Sequence, residues 1–571
     1  FVGKNHRIFK ATWNTYLSQL YGSKSDHQDF KKSFEPLSRT DYIDLFSPSG
    51  RLAKNQDDAA LMLPAEGSLE VTFREESFVD GKLRAWLAVS SQEALNAFRC
   101  YLLVNNDVVS SFKLKSNRPD VQKALGKPAG EVLVSIPKEY FDGKAHAVKL
   151  VVCNDKISKT LTVKTFQQES IWLKQKAKAE AIKKNVVLFA SHNLRIQGAQ
   201  TSLYQTIVGM ARSGNVFPVV FSPVDGPMRK SYEAAGIPVI LQKYPRINGS
   251  SEGVWKSELN YFSSCLKSLN PKAVVANTLQ SFHAAIAALS ISCPTVLIPR
   301  ESEEPRGYFA NLPKHIRPYA ESLVYCVDRA VFVAKATRDL WKFSDSGNQQ
   351  VIYNGLDVSE VEKRVSGMTR ESARVTLGIS PDEKVILSVG TVCERKGQLD
   401  LVKAIPSLMQ KSNGQSLKFI IVGMTDTDYS RAVEDAASRF PKAYRDCIHL
   451  LPHTDDSSDT LVQTLYLASD VFVMSSVHES YPRVVLEALY FSTPVVATPC
   501  YGVVEQIINN DSGLFYEAGN YLDLSRKLSQ IVQSDVSLKA FSNAAHRRFN
   551  ELTSYEQMVS QYKNLIQELT G

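Results

Sequence analysis

From Asn185 onward, short apolar runs alternate with helix-like stretches, and this alternation constrains the fold more than any other feature of the chain. VVLFASHN, VFPVVFSP, PVIL, AVVANT, TVLIP and AVFVA each close on polar or turn-forming residues. Strands covered on both faces read as continuous apolar runs, so strand and helix in turn predict a parallel sheet between two helix layers. A second series repeats the arrangement with QQVIYNGLD, KVILSVG, FIIVG, IHLL, VFVMSS and PVVAT. Two consecutive doubly wound α/β domains are expected, over residues 185–348 and 349–550. Ligands of such sheets gather at the carboxyl ends of the strands. The first series places His192, Asn193, Gly198, Asn277, Thr278, Arg300 and Glu301 there. Facing carboxyl edges make a cleft, a favoured place for a ligand.

The amino-terminal third has another texture. Residues 1–58 form a polar lead-in with one helix-like stretch around Phe9–Tyr21. Over 59–168, segments such as SLEVTF, RAWLAVS, CYLLVNN, EVLVSIP and HAVKLVV alternate with turn signals at Asp80-Gly81, Asn106-Asp107 and Asp142-Gly143. That spacing predicts an all-β, sandwich-like accessory domain. Trp86, Tyr101 and Tyr140 offer rings for stacking on sugars, although core packing is the favoured reading. Residues 169–184 (SIWLKQKAKAEAIKK from Ser170) read as a basic linker helix, with contact to an anionic membrane surface as the sharper alternative. Residues 551–571 form a closing amphipathic helix, expected to cross back to the first α/β domain.

At 571 residues the chain is too long for one core. Its 44% apolar and 22% charged content is that of a soluble globular protein. The formal net charge of +8 is a mild excess spread over many residues, with no basic run approaching a nucleic-acid tail, and it fits phosphorylated substrates or an anionic surface. The eight cysteines lie far apart, with no CxxC pair and no zinc-type histidine spacing. Reduced thiols in the cytoplasm, or at the inner face of a membrane, are expected. The longest apolar run, Ala284–Pro299, is too short to span a bilayer, and no signal peptide opens the chain. A start on Phe1 fits a piece of a longer protein.

The chemistry concentrates in Ser475–Thr498, SSVHESYPRVVLEALYFSTPVVAT, which holds Glu479 and Glu487. Ser480 is expected to cap a helix whose first turn tolerates Pro482. From Val484 to Phe491 that helix carries Glu487 as its only charge, and a lone carboxylate there is costly unless paired or hydrogen-bonded. A buried Glu answering an Arg, or a glutamate at a helix surface, is the plain alternative. Lys396 follows Arg395 in the loop after Gly390, at a helix start where backbone donors favour anions. The Ser480 and Tyr481 amides form a second such entrance. Gly198-Ala199, without bulk, forms a third on the other domain. Facing one cleft, the three suit a diphosphate without metal. The aspartates of DTD (Asp426, Asp428) and Asp455-Asp456 are read as solvated loop residues rather than metal ligands.

VIYNGLD, SVGTVCERKGQ, FIIVG, LYLASDVFVMSS, HESYPRVVLEAL, STPVVAT, GVVEQI and SGLFY occur in order over residues 350–520. Together they make the second domain resemble glycosyltransferase family 4, retaining enzymes of GT-B architecture, of the bacterial surface-polysaccharide type. The first domain matches more loosely through ASHNLRIQGAQTSLYQTI, FSPVDGPM and CVDRAVFVAKAT, and residues 1–180 lie outside the resemblance. The resemblance implies that Glu487 binds the donor ribose, that Glu479 lies beside the donor sugar and that Lys396 neutralises the diphosphate. It implies donor contacts for Ser480, Tyr481, Gly390 and Thr391, and for the Gly198-Ala199 loop closing from the other domain. Two positions depart from the family's pattern. Thr391 stands where an arginine is common, so that either Arg395 substitutes or the leaving group is held by fewer charges, and PRES stands where a histidine is common. Arg300 or Glu301 then takes that place, with His192 and Asn193 on the acceptor side.

The implied activity is transfer of a hexosyl or deoxyhexosyl group from a nucleoside-diphosphate sugar to a hydroxyl of a glycan or lipid-linked glycan, with retention. No cofactor, metal or dedicated protein base is expected, since a phosphate oxygen on the departing face receives the acceptor proton. Capsule or O-antigen synthesis is the implied setting. The alternatives are a GT-B nucleotide-sugar epimerase or hydrolase, and a non-catalytic glycan-binding module.

Overall fold

A computed structural model of the chain describes residues 36–43, 45, 69–79, 82–90, 97–114, 118–125, 127–136, 140, 144–154, 156, 158–166 and 170–570, apart from 213, 215, 342–346, 413 and 454–459. The helix expected at Phe9–Tyr21, the turns at Asp80-Gly81 and Asp142-Gly143, and the Asp455-Asp456 pair lie outside the described residues. The chain divides into two units, residues 1–43, 184–248 and 271–571, and residues 44–183 with 249–270.

The smaller unit holds two antiparallel sheets. One orders β1 (Glu70–Val79), β2 (Lys82–Ser90) and β5 (Ala129–Ser135) as β1-β2-β5. The other orders β3 (Arg99–Val104), β4 (Asp107–Lys113), β6 (His146–Cys153) and β7 (Ser158–Phe166) as β4-β3-β6-β7. Period-two alternation sends Leu83, Ala85 and Leu87 of one sheet and Cys100, Leu102 and Val104 of the other into a common core. The β3–β4 turn is made by Asn105 and Asn106 at φ 52° and 76°, a left-handed pair that asparagine tolerates. Trp86, Tyr101 and Tyr140 are half-buried. Helix α1 (Ile171–Ala181) starts where Ser170 Oγ accepts from the Leu173 amide at 3.2 Å. Its Trp172 packs edge-on against Phe262 of the helix Glu252–Leu269, ring centroids 5.9 Å apart. That second helix lies within the stretch read as the first α/β domain, yet belongs to the β-rich unit.

The larger unit contains both α/β sheets, and every pairing in them is parallel. The first comprises β8 (Asn185–Ser191), β9 (Val216–Ser222), β10 (Val239–Leu241), β11 (Ala273–Asn277), β12 (Thr295–Ile298), β13 (Arg329–Phe332) and β14 (Gln349–Val351). They are ordered β10-β9-β8-β11-β12-β13-β14. The second comprises β15 (Lys384–Val389), β16 (Leu417–Met424), β17 (Ile448–Pro452), β18 (Val471–Met474), β19 (Val495–Ala497) and β20 (Gly513–Phe515), ordered β17-β16-β15-β18-β19-β20. In each sheet the chain starts centrally, winds one way and then reverses. The reversals fall between β8 and β11 and between β15 and β18, and crevices at such points receive ligands.

Three helices position the site: α2 (Gly198–Arg212) after β8, α3 (Arg483–Tyr490) after β18, and α4 (Tyr555–Thr570) at the carboxyl end. Tyr555, Met558, Tyr562, Leu565 and Ile566 of α4 enter the core of the first α/β domain, and the Tyr555 hydroxyl donates to the Gln205 carbonyl at 2.9 Å. The last helix thus ties the chain's end to α2. Among the described residues, no helix is long and apolar enough to cross a membrane. All eight cysteines are free thiols.

Candidate functional site

A cleft of about 940 Å³ is lined by His192, Gly198, Ala199, Thr278, Arg300 and Glu301 from the first domain and by Gly390, Thr391, Arg395, Lys396, Ser480, Tyr481 and Glu487 from the second, with Glu479 among them. Asn193 and Asn277, also named from the sequence, do not line it. Asn193 Oδ1 accepts from Gln200 Nε2 at 2.9 Å, and Asn277 Oδ1 accepts from Arg300 Nε at 2.6 Å.

Strand β15 ends at Val389 and is followed by Gly390, whose φ of 147° suits glycine, and the chain then turns into the short helix Glu394–Lys396. This turn folds the Lys396 side chain back over Gly390. A Cβ at that position would lie 3.6 Å from Lys396 Cε. Gly397 follows at φ 64°, where any Cβ would collide with the Ser475 carbonyl, so the two carboxyl-edge loops are packed on each other. From β18 the chain delivers Glu479 to the same spot. Its Oε1 lies 2.5 Å from Lys396 Nζ and 2.6 Å from an Arg395 guanidinium nitrogen. Arg395 also donates to the His478 carbonyl at 2.8 Å. Burial works to raise the Glu479 pKa, but Lys396 and Arg395 outweigh it and hold the carboxylate below its ordinary range. Arg395 therefore enters the site, while Thr391 contributes its carbonyl to Gln398 at 3.2 Å.

Ser480 does not cap the helix. Helix α3 begins at Arg483 with Pro482 as its N-cap residue, too far along for the Ser480 side chain to reach the first free amides. Its hydroxyl instead donates to the Arg300 carbonyl of the other domain and meets Ser302 Oγ, each at 2.6 Å. Gly502 packs beneath it so closely that any Cβ would run into the Ser480 carbonyl. Tyr481 is buried against Tyr353, ring centroids 5.1 Å apart. Its carbonyl accepts from Asn354 Nδ2 at 3.2 Å. The Asn354-Gly355 pair is thus more than a turn. Asn354 Oδ1 also accepts from Ser202 Oγ at 2.8 Å and from Arg300 at 3.0 Å, joining three loops.

Glu487, 9% exposed, is not alone in its helix. Arg483, one turn earlier, places a guanidinium nitrogen 3.1 Å from its Oε1. The plain alternative of a buried Glu answering an Arg is therefore present in the cleft wall. Arg483 also bonds Gln205 Oε1 on α2.

On the first domain, α2 opens at Gly198 with nothing within 4 Å of where a Cβ would stand, so a ligand can approach the backbone there. His192 is fixed by two neighbours. Gln200 Nε2 lies 3.0 Å from its Nε2, and Thr278 Oγ1 lies 2.8 Å from its Nδ1. The Arg195 amide holds Asn193 Oδ1 at 2.9 Å, which makes Gln200 Nε2 the donor on both sides. His192 Nε2 then accepts and Nδ1–H donates to Thr278. Burial lowers the His192 pKa to about 4, so the ring is neutral. Thr278 holds φ 70°, ψ 157°, rare for a β-branched residue. It joins β8 and β11 at the reversal of the sheet. Arg300 places its guanidinium on Asn277 Oδ1 at 2.6 Å and on Asn354 Oδ1 at 3.0 Å. Glu301 accepts from the Leu279 and Arg300 amides at 3.0 and 2.9 Å, and burial raises its pKa.

Sequence reasoning missed Arg483, Gln205, Thr278's conformation and Gly502. Arg483 is visible in the sequence as the i,i+4 partner of Glu487, but it stands just before the apolar run that begins at Val484. The pairing with Gln205 carries no local signal. Asp426 and Asp428 both turn onto Arg431, at the carboxyl edge but outside the cleft lining.

Residues 369–548 match the family model for glycosyl transferases group 1. An uncharacterized glycosyltransferase of Methanocaldococcus jannaschii is 33% identical over 167 residues, 29% of this chain and 40% of that protein. The capsular polysaccharide biosynthesis glycosyltransferase CapM of Staphylococcus aureus is 22% identical over 194 residues, covering 33% of this chain and 48% of CapM. The chain spans about half the length of the curated relatives it matches. Among solved structures, Anabaena HepE in complex with UDP and glucose superposes with a TM-score of 0.55 at 18% identity, over 67% of this chain and 99% of HepE. The two parallel sheets facing one cleft are the GT-B fold. Residues 369–548 are a group 1 glycosyl transferase domain.

Proposed function

We propose that the protein transfers a hexosyl or deoxyhexosyl group from a nucleoside-diphosphate sugar to a hydroxyl of a glycan or lipid-linked glycan, with retention at the anomeric carbon, in bacterial surface-polysaccharide synthesis. The observation that carries this reading is the convergence of Lys396 and Arg395 on Glu479 beside Gly390, with Glu487 in the same cleft. Two cations against one carboxylate leave a surplus positive charge where a diphosphate departs, and preorganised charge of this kind stabilises a leaving group without reorganisation. Glu479, kept ionised, accepts hydroxyl hydrogen bonds from the donor sugar. Glu487 accepts from the ribose. The Gly198 backbone approaches the donor from the other domain. The acceptor enters along His192, Arg300 and Glu301, where neutral His192 offers no general acid and none is required. Catalysis needs no metal on this reading, because Lys396 and Arg395 supply the countercharge. The basic helix α1 is available for peripheral contact with an anionic membrane.

UDP-glucose and other UDP-sugars are the first donors to test, since HepE has been crystallised with UDP and UDP-glucose. The protein is incubated with a panel of nucleotide sugars and glycan acceptors, and the product's anomeric configuration is read by NMR. A product with the donor's configuration supports the reading. Donor hydrolysis or epimerisation alone, with every acceptor present, replaces it.

A further inference from the structure

The geometry points to Arg483 as the positioning residue that presents the Glu487 carboxylate to the donor ribose and ties that contact to α2 of the opposite domain. This rests on the nucleotide-sugar reading of the cleft. Arg483 bridges two groups on different domains. One guanidinium nitrogen meets Glu487 Oε1 at 3.1 Å, and another bonds Gln205 Oε1. Gln205 is itself 7% exposed, and its carbonyl accepts from the Tyr555 hydroxyl at 2.9 Å, so the anchor is fixed by α4 as well. A guanidinium presents its donors in a rigid plane. Held at both ends, it fixes the direction of the Glu487 side chain.

Two consequences follow for a ligand. With Oε1 engaged by Arg483 and the Tyr466 side chain bonded to the same carboxylate, Glu487 is already ordered and loses less freedom on binding a ribose hydroxyl. The same guanidinium grips α2, whose first residue, Gly198, lines the cleft. Ribose recognition on the second domain and backbone approach from the first are thereby joined through one side chain.

The test compares nucleotide affinities by calorimetry. It uses whichever of UDP, ADP and GDP binds the full chain most tightly, together with that nucleotide's 2′,3′-dideoxy form. Arg483→Met should lose about tenfold in affinity for the ribonucleotide, the size of one hydrogen-bonding contact, while its affinity for the dideoxy form stays unchanged. Arg483→Lys, which keeps a charge for Glu487, should recover part of the loss. Gln205→Leu, which removes only the hold from α2, should show the same selective loss in milder form and serves where Arg483→Met does not fold. Equal weakening of both nucleotides, or of neither, overturns the inference. Glu487→Gln separates the levels. If it weakens the ribonucleotide and the dideoxy form equally, or neither, the ribose assignment itself falls. If it weakens the ribonucleotide selectively and the Arg483 and Gln205 variants do not, only the positioning role falls. Absence of binding by all three nucleotides overturns both.

Discussion

Replacing Lys396 by alanine should separate catalysis from folding, because on the proposed function its ammonium serves both and the two losses differ in size. Lys396 Nζ lies 2.5 Å from Glu479 Oε1, and both side chains are about 15% exposed or less. Breaking a buried pair usually costs about 3–5 kcal/mol, because an uncompensated charge stays behind. Here Glu479 keeps Arg395 at 2.6 Å, and that second cation, 52% exposed, is screened but present. The stability loss should therefore be smaller, about 1–2 kcal/mol, and read as a fall in Tm of a few degrees. On the proposed function the same ammonium would face a departing diphosphate, and removing one preorganised donor costs about 3 kcal/mol, or on the order of 10² to 10³ in kcat. Burial would then act on Glu479 with only Arg395 to oppose it. Its pKa should rise relative to the parent, and the acid limb of the kcat profile should move to higher pH. Lys396→Arg keeps a cation beside Glu479 but replaces a compact ammonium with a broader planar guanidinium, so it should restore turnover only in part. The assay is release of nucleotide and formation of glycoside at saturating donor, beside thermal unfolding of the same samples. Turnover within twofold of the parent would refute the assignment of Lys396 to the leaving group.

Gly502→Ala should destabilise by more than about 2 kcal/mol, the usual scale of overpacking, and should weaken the Ser480 contact to the Arg300 carbonyl, seen as lower Tm and raised donor KM. His192 and His283 are both depressed by burial, to about 4 and about 3, while their unfolded pKa is near 6.5. Stability they support is complete above pH 6.5 and falls as the pH drops toward 4, so unfolding at pH 5 should take up about two protons from this pair, measurable from the pH dependence of urea unfolding. Asp470 accepts from the Val385 amide at 2.7 Å and pairs with Arg370 at 2.7 Å and Arg374 at 3.3 Å outside the cleft lining. Asp470→Ala should cost about 3–5 kcal/mol in chemical denaturation, with unchanged donor KM in the protein that remains folded.

Much of the architecture was legible because periodicity is a local property. Continuous apolar runs closed by His192, Asn277, Gly390 and Met474 mark strands whose ends face one edge, whatever order the sheet takes. The β-rich region was legible through alternation and turn pairs such as Asn106-Asp107. The assignment of Glu252–Leu269 was not, since a helix reads the same whichever unit it packs against.

Within the site, the residue types and their loops were local facts. Lys396 after Gly390, Glu479 before Pro482 and Glu487 in an apolar helix are all stated by the sequence. Only the tertiary structure decided how they meet. The sheet order puts β15 beside β18 and β8 beside β11, which brings Lys396 onto Glu479 and Thr278 onto His192. It sends Ser480 across to Arg300 instead of to its own helix, and gives Glu487 an arginine held from the opposite domain. The physical reason is one of range. Strand and helix patterns follow from neighbours a few positions apart, whereas ion pairs and hydrogen bonds depend on distances that chain topology sets over many tens of residues.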